Sequence, residues 1–333
     1  MSKKAKQMLV LLALLAAAII ALLVVKLVNY ISEKNEAAET EAATTYVDLP
    51  TDPDTISWQT SDGSLTLTKD SDGNWGWSED ADFPLSTSLV ENLTSALSGL
   101  STQTAFSPED SLSAYGLDEP TYTVTVSSGS DSKTLLFGSS FNDDGESDYY
   151  AKLSDVDTIY VLDSTVPGSL VSSIYDLADC APISATDATS IDTVTISGTV
   201  ETVLTQQATE DEDGNTSATW TMDGTDVTDE TTMTNLTAEL KNPSFSSMVD
   251  WKPDDATLAT YGLTALAAQV TVTTTDSGGY TLTIGTANDD ATAYYATPDG
   301  GKSIYLISSS KVNDLLDVAA NGFTVDTDTE TEE

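Results

Sequence analysis

Residues 108–117 read PEDSLSAYGL, and residues 253–263 read PDDATLATYGL. Both stretches end in Tyr-Gly-Leu after a short run with helical character. Glycine readily adopts the left-handed conformation that ends a helix, and the following leucine can close the apolar contact of a Schellman motif. The sequence therefore predicts the same helix-ending device twice in one chain. The residues assigned this structural role are Tyr115, Gly116, Leu117, Tyr261, Gly262 and Leu263.

The start of the first of these helices is also predicted from local chemistry. Ser107 is a favourable N-cap, and Pro108 suits the first helical position. Glu109 and Asp110 would then lie at the positive end of the helix dipole. We therefore expect a helix that begins after Ser107 and ends at Gly116.

The duplication extends well beyond these two stretches. Matching landmarks occur in the same order along both halves of the chain, at a nearly constant offset. A repeat of this kind indicates two copies of one structural module. The matched pairs are Trp77 with Trp220, Asn92–Leu97 with Asn235–Leu240, Leu135–Gly138 with Leu282–Gly285, Asp148–Ala151 with Ala293–Ala296, and Ile159–Leu162 with Ile304–Ile307.

Periodicity within each copy indicates a mixed fold. Tyr122, Val124 and Val126 alternate with threonines, as expected of a strand with one buried face. Leucines recur at helical spacing from Leu89, as do apolar residues from Met233. The predicted class is therefore α+β, with two tandem modules of mainly antiparallel strands and short helices. The first module is assigned to residues 46–186 and the second to residues 187–323.

The N-terminal region predicts a membrane anchor. Met8–Val25 is an unbroken apolar run, long enough to cross a bilayer as a helix, and Lys26 can extend it to residue 28 by snorkelling. Lysines precede the run and acids follow it, which places the N-terminus in the cytoplasm and the bulk of the chain outside. A cleaved signal peptide is the alternative. The assigned segments are a cytoplasmic N-terminus at 1–7, an anchor in the lipid bilayer at 8–28, an acidic linker at 29–45 and an acidic disordered tail at 324–333.

The amino-acid composition excludes several classes of function. The 333 residues contain 12 basic residues, all lysine, against 54 acids, and histidine is absent. Without histidine there is no imidazole base and no histidine-ligated metal, and without arginine there is no bidentate phosphate clamp. The net charge of −42 opposes binding to nucleic acid. The single cysteine, Cys180, excludes an intrachain disulfide.

The repeated tryptophans, the PED…YGLDEP segment, DYYAK at 148–152 and TIYVL at 158–162 together resemble the domain of unknown function 4340 family. The resemblance covers roughly residues 46–323 and is weaker in the second copy. It implies a bacterial envelope protein with one N-terminal anchor, often encoded beside ABC-type transporters of the gliding-motility kind. It implies no catalytic residues and no cofactor.

Two groups of residues are candidates for binding. Asp70, Asp72 and Glu79 have part of the spacing of an EF-hand loop, although a turn between two strands is the favoured interpretation. Tyr149-Tyr150 and Tyr294-Tyr295 would place one ring of each pair in the core and leave the other free to contact a sugar or a protein. Lateral packing on the sheet is the favoured interpretation of the tyrosines.

These observations predict a non-catalytic binding or assembly protein. The resemblance implies an ABC-type transporter as its membrane partner. The alternatives are an envelope glycan- or wall-binding protein and a hydrolase that uses two carboxylates. No catalytic residue, cofactor or firm metal ligand is assigned from the sequence.

Overall fold

The computed structural model describes residues 44–325 except 144–145, 185, 211–215 and 277. Strands dominate these residues. Their bounds are β1 Thr45–Tyr46, β2 Thr55–Gln59, β3 Ser64–Lys69, β4 Trp75–Trp77, β5 Ser101–Thr102, β6 Ala105–Phe106, β7 Tyr122–Ser128, β8 Asp131–Asp143, β9 Glu146–Leu153, β10 Ile159–Asp163, β11 Ile191–Ser197, β12 Glu201–Glu210, β13 Thr216–Met222, β14 Thr225–Asp226, β15 Ser247–Trp251, β16 Ala268–Thr274, β17 Gly279–Ala287, β18 Ala293–Thr297 and β19 Ser303–Ser308.

The helices of the described residues are few and short. The α-helices are α1 Thr87–Leu97, α2 Thr165–Ser169, α3 Thr231–Leu240, α4 Asp255–Thr260 and α5 Asn313–Asn321. The 3-10 turns are Leu112–Tyr115, Ile174–Leu177, Ala188–Ser190 and Ser309–Lys311. The prediction of antiparallel strands with short helices is therefore confirmed.

Both large sheets are antiparallel and share one strand order. The first runs β4-β3-β2-β7-β8-β9-β10-β6, and the second runs β14-β13-β12-β11-β16-β17-β18-β19-β15. Replacing each strand of the first sheet by its counterpart in the repeat gives the second sheet, with β14 added at one edge. A pair β1-β5 forms a separate small sheet. The two copies therefore share one strand order, as expected of one module that is repeated in the sequence.

The pairing register corrects one match between the copies. Trp220 lies opposite Gln206 on β12, and the equivalent position on β3 is Lys69. Lys69 lies opposite Trp75, so the register equates Trp220 with Trp75 and not with Trp77. Both first-copy tryptophans occur on β4 with one residue between them, and alternation puts them on the same face. The sequence alone had no means to choose between them.

Both Tyr-Gly-Leu turns are Schellman motifs. Gly116 has φ 68° and Gly262 has φ 72°, as predicted. The N–H of Leu117 donates to the carbonyl of Leu112 at 2.9 Å, and the equivalent bond in the second copy is also 2.9 Å. In each copy the N–H of the glycine donates to the carbonyl of the residue three positions before it.

The predicted helix start in the first copy is wrong. Residues 107–110 are not helical, and only the 3-10 turn Leu112–Tyr115 precedes Gly116. In the second copy the Asp254 carboxylate accepts the N–H of Thr257 at 2.8 Å and starts α4. Ser111, the N-cap of the first-copy turn, makes no such side-chain bond, so the first copy lacks the contact that nucleates the helix.

By compactness the described chain forms two units. One comprises residues 44–49, 98–121 and 133–164, and the other comprises Pro50–Leu97, Tyr122–Ser132 and the residues from Thr165 onward. In the second unit, α3 buries Met233, Leu236 and Leu240. Helix α5 packs over β11, β12 and β16, with Leu315, Val318 and Ala319 buried.

The predicted anchor at 8–28 lies outside the described residues, as do most of the acidic linker and most of the acidic tail. Thr45, which was assigned to the linker, is the first residue of β1. Among the helices that are described, none is long and apolar enough to span a membrane.

Candidate functional site

The Tyr-Gly-Leu turn of each copy rests on a glycine of the adjacent sheet. A Cβ on Gly138 would overlap the carbonyl oxygen of Tyr115, and a Cβ on Gly285 would overlap that of Tyr261. In the second copy the N–H of Thr286 donates to this tyrosine carbonyl at 3.0 Å. The glycine of the repeated Phe-Gly or Ile-Gly dipeptide is therefore needed for close approach of two backbones.

The second tyrosine of each Tyr-Tyr pair packs against the tyrosine of the turn. The ring centroids of Tyr115 and Tyr150 are 5.1 Å apart, and those of Tyr261 and Tyr295 are 4.2 Å apart. The first tyrosines, Tyr149 and Tyr294, lie opposite Leu162 and Ile307, which are core residues of the neighbouring strands.

All four of these tyrosines are half-buried. The turn packs against the outer ring of each pair, and the alternative of an exposed aromatic contact stays a prediction for these residues. The favoured interpretation, lateral packing on the sheet, fits the structure. Tyr115, Tyr261 and their partners are therefore structural residues in both copies.

The weak cation candidates form a turn. The Asp70 carboxylate accepts the N–H of Asp72 at 2.9 Å and that of Asn74 at 2.8 Å, which closes the hairpin between β3 and β4. Hydrogen bonding from Asn74 holds the pKa of Asp70 below its usual value. The structure does not gather Asp70, Asp72 and Glu79 into a cluster, and no group of three acids suited to a metal occurs in the described part of the chain.

A clamp centred on Asp80 joins the segment after β4 to the end of β15. The same Asp80 oxygen accepts the indole N–H of Trp251 at 3.0 Å and the ammonium of Lys252 at 2.6 Å. Phe83 packs edge-on against Trp251 with centroids 5.8 Å apart, and stacks on Tyr175. The bond from Lys252 is the main cause of a lowered Asp80 pKa.

This clamp could not be read from the sequence, because Asp80 and Lys252 are 172 residues apart. Lys252 has φ 58°, a left-handed conformation that non-glycine residues adopt only when surrounding contacts hold them there. The backbone N–H of Lys252 donates to the carbonyl of Lys302 at 2.7 Å, and its side chain is held by the bond to Asp80. The clamp couples a first-copy segment to a second-copy strand within one compact unit.

One cavity of the described residues is an open polar groove of about 580 Å³. One wall comes from the connector that precedes β11, with Ile183 and Asp187, and the other comes from the β16–β17 hairpin, with Asp276 and Tyr280. Hydrogen bonds from Thr189 hold the pKa of Asp187 low, and a bond from the Thr274 hydroxyl does the same for Asp276. The groove therefore presents two ionised carboxylates and several hydroxyl groups.

A second cavity, of about 460 Å³, lies between α3 and the start of α5. Glu239, Lys311 and Asp314 are among the residues that line it. Burial raises the pKa of Glu239 to about 7, and the charge of Asp314 adds to the effect. The Oε2 atom of Glu239 is buried without a hydrogen-bond partner. Sequence reasoning missed this residue, because a glutamate in an acidic chain carries no local signal of burial.

The fold defines the chain as a duplicated protein of mainly antiparallel sheets. The model of the family described as "Domain of unknown function (DUF4340)" matches residues 75–265 and again residues 228–324. The chain belongs to this family. Comparison with curated proteins and with solved structures found no match.

Proposed function

We propose that this chain is a membrane-anchored, extracytoplasmic binding or assembly protein, a non-catalytic partner of a membrane transporter of the ABC type. The main observation that supports this proposal is the duplication of the module. Two copies with one strand order offer two related surfaces, which suits contact with a large partner better than a single reaction centre.

The anchor supplies the second part of the proposal. The apolar run at 8–25 and its asymmetric flanking charges support a single span with the modules outside. Tethering raises the effective concentration of the modules against another protein of the same membrane. The transporter itself comes from the resemblance to a family whose members are often encoded beside such systems.

The polar groove is the proposed contact surface for the partner. Asp187 and Asp276 each use one carboxylate oxygen in local hydrogen bonds with neighbouring threonines. Since both side chains are exposed, their negative charge stays available to a basic segment. A chain with a net charge of −42 attracts such a segment at long range and repels acidic competitors.

Site-specific photo-crosslinking in intact membranes tests this proposal. A benzophenone amino acid at Ser184, an exposed residue of the groove, should capture a membrane protein. The same group at Gln207, exposed on β12 outside the groove, is the control and should capture little.

Charge variants provide the second arm of this experiment. The double variant Asp187→Asn/Asp276→Asn should weaken the capture from Ser184. The double variant Asp118→Asn/Glu119→Gln removes two exposed charges away from the groove and should leave capture unchanged. Equal capture from Ser184 and Gln207, or equal loss with both double variants, would rule out the groove as the contact surface.

A further inference from the structure

Glu239 is a partly buried carboxylate that the fold does not require. In the repeat, Asn235–Leu240 corresponds to Asn92–Leu97, so the position of Glu239 corresponds to Ala96. Alanine therefore serves the first copy at this place on the helix. A buried carboxyl group costs free energy unless it is paired, and such groups cluster at functional positions.

The geometry around Glu239 leaves part of its charge unsatisfied. The backbone N–H groups of Leu315 and Asp314, at the start of α5, face the carboxylate and favour its ionised form. The Oε2 atom has no partner and no access to solvent. The start of α5 thus favours the charged carboxylate, while its Oε2 atom has no donor.

The charged groups around Glu239 have opposite effects on its ionisation. Asp314 on α5 disfavours ionisation, and Lys311 in the preceding 3-10 turn favours it. On the sheet side, Tyr280 of β17 donates its phenol proton to the carbonyl of Leu240 at 2.5 Å, and burial raises its pKa so that it stays neutral. Asn235 and Ser310 complete the polar lining of the cavity.

We propose that Glu239 is a proton-operated latch between α3 and α5. With the proton bound, Glu239 and Asp314 do not repel, and the first turn of α5 stays packed on α3. When the proton leaves to solvent through the adjoining cavity, two like charges face each other and the start of α5 loosens. Because α5 covers β11, β12 and β16, the change reaches the face of the second sheet.

The direction of the pH effect follows from proton linkage. The closed latch keeps its proton up to about pH 7, whereas an exposed glutamate loses it near 4.5. Between these values opening releases a proton, so opening rises with pH by at most roughly tenfold per unit. Above pH 7 both forms are ionised and the effect levels off. Since the side chain is partly exposed, solvent screening reduces the slope, and we expect a rise on the order of tenfold from pH 5.5 to 7.5.

The chain contains no histidine, the side chain whose ordinary pKa lies in this range, so no histidine titration overlaps with that of Glu239. Hydrogen exchange of the full-length protein in detergent should be followed by mass spectrometry for peptides that cover residues 309–321. After correction for the intrinsic exchange rate, the wild type should show the rise. Glu239→Gln, an uncharged isostere, should show a low and flat profile.

Three further variants make the test specific. Asp314→Asn should move the midpoint to lower pH, and Lys311→Gln should move it to higher pH, because their charges act on Glu239 with opposite sign. Glu91→Gln, an exposed glutamate on α1 of the first copy, should leave the profile unchanged. If Glu239→Gln fails to fold, Glu239→Ala reproduces the residue of the first copy. The latch is refuted if wild type and Glu239→Gln have the same profile, or if the two charge variants shift the midpoint in the same direction.

Discussion

Replacing the sheet glycine beneath each Tyr-Gly-Leu turn tests the duplicated architecture. In Gly138→Ala the new Cβ would overlap the carbonyl oxygen of Tyr115 and lie 2.9 Å from the carbonyl carbon of Gly116. In Gly285→Ala it would overlap the carbonyl oxygen of Tyr261 and lie 3.1 Å from the carbonyl carbon of Gly262. These neighbours are backbone atoms, so no side-chain rotation can relieve the contact.

Each substitution should therefore lower the free energy of unfolding by about 2–3 kcal/mol, as overfilling a packed core does. At the size of one module this corresponds to a fall in thermal midpoint of roughly 5–10 °C. Gly168→Ala is the matched control, because its Cβ would meet nothing within 4 Å and its backbone is helical. It should stay within about 0.5 kcal/mol of the wild type.

Chemical denaturation of the full-length protein in detergent, followed by tryptophan fluorescence, measures these differences. Both repeat glycines should behave alike, and both should differ from Gly168→Ala. A result in which Gly138→Ala or Gly285→Ala matches the control would refute the close approach of turn and sheet. The proposed equivalence of the two copies would fail if only one of them were sensitive.

Three further predictions concern other contacts. Asp80→Asn removes the negative charge that pairs with Lys252, so the thermal midpoint should fall, and less so in high salt. Asp82→Asn should change the midpoint little, because the Asp82 carboxylate lies 3.7 Å from the Lys252 ammonium. Trp58→Phe loses the indole bond to the carbonyl of Val171 at 2.7 Å and should cost about 1–2 kcal/mol in denaturant titrations. Gly116→Val and Gly262→Val should each lower the free energy of unfolding by on the order of 1 kcal/mol or more, because a branched side chain is strained at positive φ. Gly73 also has a positive φ but has open space around it, so Gly73→Val measures the backbone part of that loss alone.

Local chemistry made the helix stops predictable. Glycine followed by leucine specifies a Schellman motif within six residues, and both copies have it. The strand alternation around Val124 and Val126 was readable for the same reason, since each strand buries one face. Repetition predicted that the two copies share one strand order, because one module folded twice must pair its strands alike, but it did not predict what that order is.

Features that depend on distant residues were not predictable. Alternation left two interpretations of the outer tyrosines open because it describes a bare sheet, whereas in the structure the turn containing Tyr115 packs against Tyr150. The choice between Trp75 and Trp77 needed the pairing register. Asp80 and Glu239 acquire their roles from Lys252 and from α5, and no short sequence pattern links these groups.

We propose that this family member is an anchored binding partner of another membrane protein. Chemical crosslinking of the full-length chain in native membranes, with identification of the products by mass spectrometry, tests it most directly. We expect the main products to contain subunits of an ABC-type transporter and the chain itself to stay in the membrane fraction. Recovery of the chain from the soluble fraction, or of crosslinks to no membrane protein, would contradict it.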